Sequence, residues 1–200
     1  MNTSCECVIY DFETLSQDQS KGVVLSFAML SFSEKRYVEN PYTFEELIDS
    51  AKFIKFDVRD QVENYGRKIS KETLDWWNEQ GEKAKKQLAP SNEDKLISTL
   101  FDFISESCDL KSMKKSFTRG NTFDPLFLQH LMKDIGKIDP FHWKTVRDTR
   151  SMIEGMAFGM EIDNGFDIKE VMDKFVKHDP RHDIALDVLR MQSLARAILN

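Results

Sequence analysis

Acidic residues stand inside otherwise apolar sequence at three separated places in this chain. They are Asp11 and Glu13 in CVIYDFET, Asp124 in FDPLFLQHLM, and Asp187 in HDIALDVLRM, where His182 precedes Asp187 by five residues. Carboxylates are normally solvated, and burying an ionised one is costly unless it is paired or ligates a cation. Any fold that buries these segments must therefore supply partners that cancel the charge. A set of oxygen donors without cysteine suits hard divalent cations such as Mg²⁺ or Mn²⁺ better than zinc.

A length of 200 residues with 40% hydrophobic content is enough for one compact domain, expected to span residues 1–200. No run of about 18 apolar residues is present, and the start MNTSCECVIYDFET has neither a basic n-region nor a long apolar h-region. The expectation is a soluble, cytoplasmic protein with no membrane partner. Cys5, Cys7 and Cys108 are odd in number and lack metal-knuckle or disulfide-framework spacing, so reduced structural thiols are expected. The formal net charge of −6 argues against holding nucleic acid through a global positive field. Lys111, Lys114, Lys115 and Arg119 nevertheless bunch together, either to meet phosphates or as a solvated loop.

CVIYDFET and GVVLSFAMLSF read as strands, the second apolar on both faces as in a central strand. A third strand is expected over Lys35 to Val38, and Pro41 to Asn64 reads as irregular. KETLDWWNEQ reads as a helix with Ser70 as N-cap. Adjacent tryptophans on a helix point in different directions, so only one of Trp76 and Trp77 can be fully buried; the other packs at the helix edge or stacks on a base. Leu96, Leu100, Phe103 and Ile104 recur at helical spacing. SFTRG reads as a short strand, Pro125 to Ile135 as a helix, and Trp143 to Val146 as a strand. Helices are expected from Thr149 and from Pro180 to near Ile198. Strands first and then strands alternating with helices imply an α/β fold, a central mixed sheet with helices on both faces.

Asp11 and Glu13, two apart on a strand, project to one face and can grip one ion, or can mark a solvated strand end. Asp124 heads the stripe Asp124, Leu128, Leu131, Ile135; followed by Pro125, it also suits a helix cap. Asp187 lies two turns inside its helix in a stripe with Met191, Leu194 and Ile198, where no cap is needed. The stripe either buries it or meets solvent there. His182 is a candidate general base, since an unperturbed imidazole titrates near neutrality. His178 and Asp183 duplicate the spacing of His182 and Asp187, and the apolar stripe around Asp187 favours the second pair.

The segments DFET, TRGNTFDPLFL and HDIALDVL resemble, in order, the three exonuclease motifs of the DEDDh branch of the DnaQ-like superfamily. HDIALDV is similar to the HDAxxDV form of exonuclease I and RNase T relatives. One position departs, Gly120 standing where the second motif usually has Asn. IKFD, TLDWWNEQ, the TRG…FD segment and FVKHDPRHD resemble the exonuclease A group of T-even-type bacteriophages, a likeness that spans most of the chain.

The resemblance implies an RNase H-like fold whose second strand is antiparallel to the rest. It implies metal ligands at Asp11, Glu13, Asp124 and Asp187, with His182 as general base for the attacking water and two Mg²⁺ ions, replaceable by Mn²⁺, at the scissile bond. Thr14 and Leu15 would touch the terminal nucleotide and Phe123 would wedge beside it. The expected activity is a metal-dependent 3′-to-5′ exodeoxyribonuclease of phage origin. It would act in the host cytoplasm on single-stranded or frayed 3′ ends, DNA before RNA, and release nucleoside 5′-monophosphates. An exoribonuclease or oligoribonuclease, and an inactive RNase H-like binding module, are the alternatives. No protein partner is implied.

Overall fold

The computed structural model describes residues 6–160 and 165–199; Cys5 lies outside them. Strands β1 (Cys7–Thr14) and β2 (Val24–Phe32) pair antiparallel from Cys7↔Phe32 to Glu13↔Ser26, and the register slips between Glu13 and Thr14. Such an irregularity bends a strand end, here where the acids lie. Strand β3 (Lys52–Lys55) pairs antiparallel with β2, while β4 (Lys115–Thr118) and β5 (Val146–Asp148) continue parallel from β1. The order is β3-β2-β1-β4-β5, so β2 alone runs against the other four, as an RNase H-like sheet requires.

Helices follow in chain order as α1 (Arg36–Glu39), α2 (Phe44–Ser50), α3 (Val58–Tyr65), α4 (Lys71–Asn78), α5 (Glu82–Lys85), α6 (Leu100–Ser107), α7 (Asp124–Asp134), α8 (Thr149–Ala157) and α9 (Pro180–Leu199). The strand alternation sorts them into two layers. Cys7 and Ile9 of β1 pack with Tyr37, Phe44, Leu47, Ile153 and the α9 residues Ile184, Ala185 and Val188. Val8, Tyr10 and Phe12 face the other way, against Leu100 and Ile104 of α6 and Phe127, Leu128 and Leu131 of α7. The sheet is thereby covered on both faces. Among the described residues no helix is long and apolar enough to cross a membrane.

Two expectations are corrected. Lys35 to Val38 is not a strand: Arg36–Glu39 is helical, entered through a turn in which Ser33 O accepts from Arg36 N, and Tyr37 stacks on Phe32 with centroids 6.0 Å apart. The stretch from Pro41 to Asn64 is not irregular. It holds α2, β3 and most of α3, and α2 begins with a capping box in which Thr43 and Glu46 each bond the other's backbone. The other expected elements lie within a few residues of their places, and α5 was not among them. Ser70 accepts from Thr73 N at 3.2 Å to cap α4.

Candidate active site

Asp11 and Glu13 occupy the face of β1 that α9 covers, so acids on α9 can reach them. Asp124 arrives from the opposite layer. The β1–β4 pairing ends at Ile9↔Phe117, and beyond it the Phe12 N–H donates to Asp124 Oδ1 at 3.1 Å, so the first residue of α7 replaces a missing strand partner. Asp183, in the first turn of α9, completes the group. Carboxylate oxygens of Glu13 and Asp183 and a ring nitrogen of His178 all lie within 4.8 Å of one another.

Crowding sets the electrostatics. Burial, then the charges of Asp124 and Glu13, hold the Asp11 carboxyl well above the usual range. Glu13 is likewise raised, by burial first and then by Asp183. Burial lifts Asp124 to about 7 against the opposing hydrogen bond from Phe12 N–H, and burial with Asp187 nearby lifts Asp183 to about 7. The imidazole of His178 is lowered by burial and by Lys177, which keeps it neutral and able to accept a proton near pH 7. Its backbone has φ 63°, with its N–H donating to Asp183 Oδ2 at 3.2 Å and its carbonyl accepting from Gln87 Nε2. Its Nε2 is buried with no hydrogen-bond partner among the described residues.

The third motif is arranged differently from the expectation. His182 does not line the acid cleft: its ring packs edge-on between Phe44 and Phe175, its Nδ1 accepts from Val176 N–H at 3.0 Å, and its Nε2 is 4.0 Å from Asp179. The reason is where α9 starts. Asp179 O accepts from Asp183 N and Asp179 Oδ1 from Arg181 N, so the helix begins at Pro180, placing His178 in the preceding loop and His182 inside the first turn. Asp187 does line the cleft and is 2% exposed, but its oxygens already have protein partners. Its Oδ1 accepts from Arg119 at 2.5 Å and Arg190 at 3.1 Å, and its Oδ2 from Thr149 at 2.5 Å.

A second cleft of about 690 Å³ adjoins the acids, and Phe12, Glu13 and Phe123 line both. Thr14 and Trp76 also line it. Leu15 does not: it sits in a core cluster with Val23, Leu25, Trp77 and Ala84, the correction being that the register slip after Glu13 turns it inward. Trp77 is fully buried and donates Nε1–H to Thr14 O at 2.9 Å, while Trp76 is 41% exposed. Lys114 and Lys115 pair with Glu6 and Glu34 at the opposite end of the strands, leaving only Arg119 of that bunch at the cleft. Cys7 and Cys108 are free thiols, pushed up to about 12 and about 11 by burial, as expected of structural cysteines.

The donor set suits hard divalent cations: Asp11, Glu13, Asp124 and Asp183 offer carboxylate oxygens with His178 beside them, and their mutual repulsion is what a bound cation relieves.

The sequence profile of the 3′-5′ exoribonuclease Rv2179c-like domain matches residues 6–191. An exodeoxyribonuclease of Enterobacteria phage T4 is 31% identical over 207 residues, covering 94% of this chain and 88% of the relative. The metal-free form of an Escherichia coli exonuclease I complex with single-stranded DNA superposes with a TM-score of 0.61 at 13% identity. The match covers 95% of this chain and 39% of that one, so the chain spans about two-fifths of exonuclease I. A zinc-bound form of the same complex superposes at 0.58, with 14% identity over 96% of this chain and 40% of that one. Fold and sequence together define a 3′-5′ exonuclease of the DnaQ-like, RNase H-like class. Within that class the chain belongs to the Rv2179c-like exoribonuclease domain family.

Proposed function

We propose that the chain is a metal-dependent 3′-5′ exodeoxyribonuclease that removes nucleoside 5′-monophosphates from single-stranded or frayed DNA ends. The convergence of four carboxylates from β1, α7 and α9 beside a loop histidine carries this reading. Asp11, Glu13, Asp124 and Asp183 would hold two divalent cations, Mg²⁺ or Mn²⁺. When bound, such ions neutralise phosphate charge and acidify the attacking water. His178 is assigned as the general base in place of His182, and Asp183 as the fourth ligand in place of Asp187.

The chain's own groups divide the work. His178 Nε2 takes the proton of the attacking water; burial keeps the ring unprotonated, and the Asp183 and Gln87 hydrogen bonds fix its backbone. Asp124 ties α7 to β1, which sets the spacing of its carboxylate to Asp11. Thr14 and Phe123 line the neighbouring cleft, where the terminal nucleotide fits, with the Phe123 ring braced edge-on by Phe127 at 5.0 Å.

An exoribonuclease is the second reading, favoured by the description of the matching family, whereas the phage T4 relative favours DNA. An inactive binding module is disfavoured because the carboxylate cluster is complete. The test is digestion of matched end-labelled DNA and RNA single strands, with and without Mg²⁺, and identification of the product. Mg²⁺-dependent mononucleotide release, faster on DNA, is expected. Faster release from RNA selects the second reading, and no release from either strand overturns both.

A further inference from the structure

Asp187 is a buried carboxylate that the proposed chemistry leaves without a task. It holds two guanidinium groups, Arg119 from the end of β4 and Arg190 from one turn further along α9, and its remaining oxygen is closed by Thr149. Two arginines against one carboxylate leave one positive charge in excess on the cleft wall. Arg150 and Lys177 line the same cleft and make no ion pair among the described residues. The Nε of Arg190 is buried without a hydrogen-bond partner among them, a donor with no acceptor of its own. In a chain of net charge −6 this is a local cationic wall facing a nest of acids.

A polyanionic strand approaching four carboxylates needs such a wall. Arg119 lies close enough to Asp183 to oppose the rise in its pKa, so the wall borders the acids themselves. The terminal-nucleotide cleft opens on the other side of Glu13 and Phe123, which both clefts share. A strand crossing the acids would therefore leave its last nucleotide in one cleft and its preceding phosphates in the other.

We propose that Asp187 pins Arg119 and Arg190 into a paired guanidinium clamp that, with Arg150 and Lys177, grips the backbone phosphates on the 5′ side of the scissile bond. Guanidinium forks match phosphate geometry and ignore base and sugar, so the clamp gives binding without sequence preference. Asp187 is then a positioning residue that touches no reacting atom.

The proposal rests on the exonuclease reading, and its test separates the two. Steady-state kinetics of the full chain on oligothymidylate, over a series of KCl concentrations at saturating Mg²⁺, would compare wild type with Arg119→Gln, Arg190→Gln, Asp187→Asn and Thr149→Val. Each arginine variant is expected to raise KM roughly tenfold, the worth of a charge-assisted hydrogen bond, with kcat little changed. Each should also flatten the plot of log(kcat/KM) against log[KCl] by about 0.7 for every phosphate charge that it ceases to neutralise. Asp187→Asn should do both while leaving the half-saturating Mg²⁺ concentration where it was. Thr149→Val, which removes one hydrogen bond, should do so in smaller degree and guards against misfolding of Asp187→Asn. Arginine variants with wild-type KM and salt slope would overturn the clamp. So would an Asp187→Asn variant whose Mg²⁺ requirement rises many-fold at unchanged slope, since Asp187 would then be a metal ligand. If the wild type releases no nucleotide, the exonuclease reading fails, and fluorescence anisotropy of the same oligonucleotide still reads the clamp.

Discussion

The Trp76 indole lies edge-on against the His178 imidazole, with ring centroids 4.7 Å apart and planes at 72°. Trp77 approaches the same imidazole at 6.0 Å, and α4 carries both indoles. A non-glycine residue at φ 63° costs on the order of 1–3 kcal/mol and persists only where its surroundings over-determine it. Here the surroundings are two indoles, Gln87 and Asp183.

Removing the exposed indole should therefore loosen the histidine without unfolding the protein. Trp76→Ala is expected to lower kcat several-fold with little change in melting temperature, and Trp76→Phe to recover most of the loss. Kinetics and thermal melts on the same preparations check this. A raised KM at intact kcat would mean instead that the indole touches substrate.

The two histidines of the third motif should separate cleanly. His178→Ala is expected to cut turnover by about 10²- to 10⁴-fold, the usual worth of a general base. His182 fills a slot between Phe44 and Phe175, so His182→Ala should lower the melting temperature while the folded protein turns over much as before. Rate assays below the melting point of both variants decide the matter, and the opposite ranking would restore His182 to the role the motif spacing suggested.

Leu15 and Phe123 offer a similar contrast at the neighbouring cleft. Leu15 is 4% exposed within a cluster around Trp77, and Leu15→Ala should cost about 2–5 kcal/mol of stability with no specific effect on KM. Phe123 faces both clefts, and Phe123→Ala should raise KM at a smaller cost in stability. Denaturant midpoints and KM values measured together test the pair. A Leu15 variant of normal stability and raised KM would place that side chain against substrate after all.

The two long strands were legible because β1 and β2 are apolar and rich in β-branched and aromatic residues, whereas the reversal of β2 was implied only by the motif resemblance. Asp11, Glu13 and Asp124, which motif order picked out, do converge on one cleft. Which histidine of HDPRHDIALD faces the cleft was not legible, because the stripe used to choose carries no information on a helix buried nearly all round: Ile184, Ala185, Leu186, Asp187, Val188 and Leu189 are all buried. A better signal stood in the sequence. Pro180 at a helix start would have put His178 in the loop at the strand ends and His182 in the first turn. Thr43 and Glu46 likewise spelled a capping box inside the stretch read as irregular. The Asp187 arginine partners were not legible, since Arg119 is 68 residues away in sequence.

The crowded acids give the metal-free protein an unusual pH dependence. Asp124 and Asp183 are raised to about 7, and Asp11 and Glu13 well above their usual values, against about 3.9 to 4.3 in the unfolded chain. A carboxyl whose folded pKa is raised binds its proton more tightly in the folded state. Its contribution is fully present below the unfolded pKa and is lost as pH rises through the folded one. His178 and His182, lowered by burial, slope the other way as pH falls past about 6.5, but they are two groups against four. In EDTA the melting temperature should therefore fall as pH rises from about 4.5 to above 7. Divalent cations bind the ionised acids of the folded state, so added Mg²⁺ should restore stability, and more so at pH 7.5 than at pH about 5. Asp183→Asn should raise the metal-free melting temperature at pH 7.5 and blunt the Mg²⁺ response. A metal-free melting temperature that climbs steadily over this range would mean that the carboxylates are not crowded together, and the proposed cation site would fall with them.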